Sequence, residues 1–160
     1  MREIEAIKKV LGEQLLGCRQ LLEILQKEKL CLLDLKMEQV EAIIKEKDIL
    51  VLKLKLLEEE RKRLLEHWLQ KNISNPLIQE NEPFKVTLLK LAELTKENVF
   101  LEIRSKLISL SQSIKELNDF NKMMIDRTLG FLKKNTLFLE PFYNQTVPLG
   151  GKGGLLSKEM

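Results

Sequence analysis

From Gly17 to Gly130 the chain contains no glycine, and the only prolines in that stretch are Pro76 and Pro83. A sheet protein of this length needs glycine, proline or Asn-Gly pairs at a turn every ten residues or so. Their absence rules out most all-β and α/β designs. What fills the interval is Leu, Lys, Glu and Ile, the composition of long helices and coiled coils. With 160 residues there is room for one domain and little more. Hydrophobic residues make up 44%, enough to bury a core rather than leave the chain disordered.

Heptad spacing then places the helices. A first frame runs Ile4, Ile7, Leu11, Gln14, Cys18, Leu21, Leu25, Glu28, Leu32, Leu35, and predicts a helix from about residue 4 to 35. Asp34 can accept from the free N–H groups of a second helix, so a tight reversal is expected near residues 33–37. The second frame is Val40, Ile43, Lys47, Leu50, Leu54, Leu57, Arg61, Leu64, Trp68, ending near Lys71. The stretch Val51 to Leu56 alternates as a strand would, but the helical frame continues through it on both sides. Asn72 to Pro83 reads as a loop. A short amphipathic helix follows from Phe84 to about Leu94. A last frame, from Phe100 to Phe138, predicts a third long helix over 96–138 with Thr95 as its N-cap. The expected fold is therefore all-α. Three long helices pack as an antiparallel bundle with one short helix over residues 1–138, and a flexible tail follows over 139–160, where Pro148 and four glycines preclude a helix.

Polar residues interrupt the seams in a regular way. Gln14 and Glu28 stand fourteen apart on the first helix, and Lys47 and Arg61 fourteen apart on the second. One antiparallel register pairs Glu28 with Lys47 and Gln14 with Arg61. A reversal centred on Asp34 instead favours a register one heptad shorter, with Lys47 opposite Leu21. The simplest reading lets Lys47 and Arg61 extend to the bundle edge. If the pairs form, Lys47→Leu is expected to be near neutral and Glu28→Leu to be costly. On the last helix Asn121, Thr128 and Asn135 recur at heptad spacing, serving either register control or a face kept accessible to a partner helix. Five of the six Phe and the single Tyr lie beyond residue 99. Phe131, Leu132, Phe138, Leu139, Phe142 and Tyr143 form an aromatic cluster that either caps the bundle or makes an adhesive patch.

Several function classes lose their support. Charge is nearly balanced at +3 with Lys and Glu interleaved, unlike a nucleic-acid stripe. The opening Met1-Arg2-Glu3-Ile4-Glu5 lacks a signal-peptide apolar core, and apolar runs are too short to span a membrane. Cys18 and Cys31 would lie ~20 Å apart on one helix, which precludes a disulfide between them and reads as two reduced thiols in a cytosolic protein. The single histidine, His67, reads as a surface or helix-end residue, and no cofactor or metal motif accompanies it.

The order of these features resembles the FlgN family of flagellar export chaperones. The matching residues are Leu33-Asp34-Leu35, Lys47 with Leu50, and Leu57-Glu58 with Arg61 and Leu64-Leu65. Farther on come Asn118 with Asn121, then Ile125, Leu129 and Leu132, and finally Tyr143 and Gly150, so that the likeness covers roughly residues 10–150. The resemblance implies a cytoplasmic, non-enzymatic chaperone that holds the hook–filament junction proteins FlgK and FlgL before type III export. It implies a client surface on the last helix and tail, here Asn121, Met124, Thr128, Phe131, Leu132, Asn135, Phe138, Phe142 and Tyr143. It further implies docking of Tyr143 at the export gate protein FlhA. A self-associating coiled-coil scaffold or adaptor without an export role is the alternative that composition alone leaves open.

Overall fold

The structure, a computed structural model, describes residues 2–72 and 84–143, with side chains for all of these except 84–87, 132 and 135–143. Four helices account for nearly all of it: α1 (Arg2–Leu33), α2 (Met37–Asn72), α3 (Phe84–Thr95) and α4 (Val99–Tyr143). No strand occurs among the described residues, so the all-α expectation holds. Of the loop expected at 72–83, Asn72 ends α2, and residues 73–83, like the tail from 144 onward, lie outside the described residues. The chain divides into two structural units, residues 1–121 and 122–160.

In the first unit, α1 and α2 form an antiparallel hairpin. Glu3 of α1 meets Lys71 of α2 at one end, and the Cys31 thiol donates to Gln39 at the other. Two apolar clusters fill the interior. The first gathers Ile7 and Leu11 of α1, Leu65, Trp68 and Leu69 of α2, Leu88 and Leu91 of α3, and Phe100 and Leu107 of α4. The second joins Leu21, Leu25 and Leu50, with Ile114 and Leu117 of α4 packed against them. Over residues 99–121, α4 therefore runs parallel to α1 and antiparallel to α2. Burial of each such Leu or Phe contributes roughly 1.5–3 kcal/mol. The sequence chooses these positions because three-and-four spacing keeps one stripe of each helix facing its neighbours.

The corners are made without glycine. Leu35 takes a left-handed φ of 56°. The Lys36 N–H donates to Cys31 O at 2.9 Å and the Leu35 N–H to Leu32 O at 3.3 Å, the paired bonds of a Schellman cap. Lys36, not Asp34, then starts α2, because its carbonyl accepts the Val40 N–H at 3.1 Å. Asp34 thus closes α1 instead of capping α2. A similar corner separates α3 from α4. Lys96 has φ 55°, and Asn98 O accepts the N–H groups of Leu101 and Glu102. Thr95 ends α3, its hydroxyl donating to Leu91 O at 2.7 Å, so it is not the N-cap of the last helix. The helix starts at Val99 and continues to Tyr143, five residues beyond the expected end.

Two polar layers lie between and beyond the apolar clusters. In one, Arg61 is 2% exposed and grips Glu58 through Nε at 2.8 Å and through its terminal nitrogen. Gln14 Nε2 donates to the same carboxylate at 2.8 Å. Glu58 is thus the bridge between Gln14 and Arg61, a role the seam pattern did not reveal because Glu58 is off the seam. In the other layer, Lys47 Nζ donates to Glu28 Oε2 at 2.8 Å, with Glu28 fully buried. The edge reading of Lys47 and Arg61 is overturned for both. The backbone register falls between the two that the seam pattern offered: Lys47 is not level with Leu21, and neither Lys47 with Glu28 nor Arg61 with Gln14. Gly17 stands directly against Leu54, and the long Glu28 and Lys47 side chains reach toward each other along the seam.

The burial also reverses the expected asymmetry of substitutions. Glu28 is 1% exposed and Lys47 18%, so a lysine left alone can reach water and a glutamate left alone cannot. Lys47→Leu is expected to destabilise by about 3 kcal/mol and Glu28→Leu by no more than ~1 kcal/mol, read by denaturant titration. Burial pushes the Glu58 carboxyl up, but the hydrogen bonds and charge of Arg61, with Gln14 and Lys62, outweigh it and hold the pKa below the ordinary carboxylate range. A lowered folded pKa gives stability that is present above the unfolded value and lost as pH falls through the folded one. Glu58→Gln should therefore flatten the loss of stability seen on acidification below about pH 4.3. At the first corner Leu35 is exposed, so Leu35→Gly removes the left-handed strain at little packing cost. It should raise stability by about 0.5–1 kcal/mol in the same titration.

Candidate functional site

The expected binding residues begin at Asn121, and the structure separates it from the rest. Asn121 is fully buried in the first unit. Its Nδ2 donates to Leu25 O of α1 at 2.9 Å, so it ties α4 to α1. Beside it Lys29 Nζ lies 4.9 Å from the centre of the Phe120 ring. Asn121 therefore belongs with register control, and it is not on an accessible face.

The remaining candidates lie in the second unit, whose described part is the segment of α4 from Lys122 to Tyr143. Helical register puts positions 124, 128, 131, 135, 138 and 142 on one face, since their spacing alternates four and three. The continuation of α4 to Tyr143 extends that stripe to Phe142. From Met124 to Phe142 the face is ~27 Å long. Met124 and Thr128 are half-buried, and Phe131 is 65% exposed. Leu132, Asn135, Phe138, Phe142 and Tyr143 have helical backbone, and their side chains lie outside the described residues.

Thr128 does not wait for a partner. Its hydroxyl donates to Met124 O at 2.9 Å, one turn back. That bond satisfies the hydroxyl hydrogen that Thr128 places between Met124 and Phe131, so this part of the face can be covered without stranding that donor. Gly130 follows, and a Cβ placed there would meet no atom within 4 Å. Met123, 38% exposed, adds apolar surface that the heptad frame did not include. The exposed charges of residues 122–134 are Lys122, Asp126, Arg127, Lys133 and Lys134, so the rim of this segment is mainly basic.

Other candidate chemistry is weak. Among the described residues no group of His, Cys, Asp and Glu could hold a metal. Both cysteines are free, and burial pushes the Cys18 thiol pKa up, which keeps it protonated and unreactive. His67 is exposed and stands 3.5 Å from Glu3. Among the described residues no helix is long and apolar enough to cross a membrane.

The profile of the family described as FlgN protein matches residues 1–146. No curated protein and no solved structure matches the chain. The match spans α1 to α4, including both polar layers and the α4 face that carries Phe131, and the chain belongs to the FlgN family, a family of flagellar export chaperones and not of enzymes.

Proposed function

We propose that this protein is a cytoplasmic export chaperone that holds the hook–filament junction proteins FlgK and FlgL before type III secretion, through the end of α4 and the residues beyond it. The observation that carries the reading is Phe131. A large aromatic, 65% exposed, sits on an apolar stripe in the one segment of α4 that lies beyond the buried Asn121 tie. Exposed aromatics of this kind dominate the binding energy of helix-in-groove and helix-on-helix contacts.

In this reading Met124, Phe131, Leu132, Phe138 and Phe142 cover an amphipathic helix of the client. Asn135 sets its register, Thr128 is covered with its hydroxyl still on Met124 O, and Tyr143 is left to dock at FlhA. The basic rim favours a client helix whose flanks are acidic. Membership of the FlgN family supports an export role over a scaffold without one.

Calorimetric titration with FlgK and FlgL tests this. Phe131→Ala combined with Phe138→Ala should weaken binding by about tenfold or more, with far-UV circular dichroism unchanged. Unchanged affinity in that double variant would reject the assignment.

A further inference from the structure

Helix α2 carries a second apolar stripe that the bundle does not use. Leu50 and Leu54 face inward, Leu50 buried and Leu54 against Gly17. On the opposite face Ile49 is 72% exposed, Leu52 60% and Leu56 59%. The strand-like alternation of Val51 to Leu56 has its cause here: Leu52 and Leu56 point outward while Leu54 points inward. The outward three are spaced by three and four residues, the spacing of a helix–helix seam.

The charges flanking this stripe have a symmetry of their own. Counting outward from Leu52, Lys45 lies seven residues before it and Glu59 seven after. Glu41 lies eleven before it and Arg63 eleven after. Ile49 and Leu56 stand three before and four after, and Asp48 and Lys55 four before and three after. Glu41, Lys45, Asp48, Lys55, Glu59 and Arg63 are all exposed. A two-fold axis through Leu52, perpendicular to the helix, exchanges the two halves. It brings Lys45 level with Glu59 of a second copy and Glu41 level with Arg63, and to within one residue of level it brings Asp48 to Lys55 and Ile49 to Leu56, with Leu52 near its own copy. Every charge in the set then meets its opposite.

We propose that the outer face of α2 pairs antiparallel with the same face of a second copy of this chain, around an axis at Leu52. A C2 interface must be self-complementary, because each residue meets the partner of its own counterpart. A stripe arranged for an unrelated helix has no reason to reverse its charges about its midpoint. Arg63 already holds Glu60 of its own helix, and a guanidinium with five donors can accept a second carboxylate beside it. The complementarity ends beyond Glu41 and Arg63, where Glu38 would meet Glu66. The seam is therefore about three heptads long, ~33 Å, and association is expected to be weak and concentration-dependent. It leaves the α4 stripe unused, so it stands independently of client binding.

Sedimentation equilibrium of the full chain tests the proposal, with circular dichroism to check that each variant is folded. The wild type should show a monomer–dimer equilibrium. Leu52→Glu should weaken it by about tenfold or more. Lys45→Glu alone should weaken it, and Lys45→Glu combined with Glu59→Lys should restore it, since the pair is reformed with its signs exchanged. A wild type that stays monomeric throughout the accessible concentration range overturns the proposal and leaves the stripe to another occupant. A dimer indifferent to Leu52→Glu, or a charge reversal that the second reversal fails to rescue, overturns it equally.

Discussion

Glu28 sets the terms for the helical hairpin. A carboxylate wholly removed from water is tolerable only with its counter-charge in place, and Lys47 supplies that charge at 2.8 Å from the facing helix. The two side chains already span about a turn along the seam, so shortening the register by a further turn would part the pair and leave the carboxylate without its counter-charge. Apolar heptads by themselves tolerate sliding by seven residues, because one leucine layer resembles the next. The Glu28–Lys47 layer and the Gln14–Glu58–Arg61 layer make the layers distinguishable. Asn121 extends the same logic to the third helix through its bond to Leu25 O.

That arrangement explains how the chain divides its labour along α4. Up to Asn121 the helix is committed to the interior, with Phe100, Leu107, Ile114 and Leu117 packed on α1 and α2. From Lys122 onward it forms a separate unit with an apolar stripe and a basic rim. One continuous helix thus serves folding with one half, and its other half carries the surface we assign to the client. An export chaperone needs that separation, since it must release its client without losing its own fold.

The helices themselves were legible from heptad spacing, because a stripe that must face a core repeats with the helix, and the one competing signal, the strand-like alternation of Val51 to Leu56, lies inside a frame that continues on both sides. The corners were harder to read. Leu35 and Lys96 adopt left-handed backbone that glycine normally signals, so the sequence held no marker for either turn. Asp34 and Thr95 were consequently assigned to the helices that follow them, when each belongs to the helix before. The two polar layers were visible as interruptions of the seam, but their partners were only half visible. Heptad position identifies facing residues by backbone level, whereas Glu28, Lys47 and Glu58 reach along the seam, and only their length resolves the pairing. Burial decided between pairing and an exposed edge, and burial depends on α4 as well as on the hairpin. At the candidate site the heptad frame reached from Met124 to Phe138, and only the longer α4 adds Phe142 to that face; Asn121 was grouped with it, since an amide on a seam looks the same whether it faces a partner or an interior carbonyl.

The most direct test of this division is hydrogen–deuterium exchange, measured by mass spectrometry on the full chain with and without FlgK. The account predicts strong protection of amides from Ile7 to Leu69 in both states, with new protection on binding confined to α4 beyond Lys122 and to the residues that follow it. New protection concentrated on α1 and α2, with the end of α4 unchanged, would contradict it.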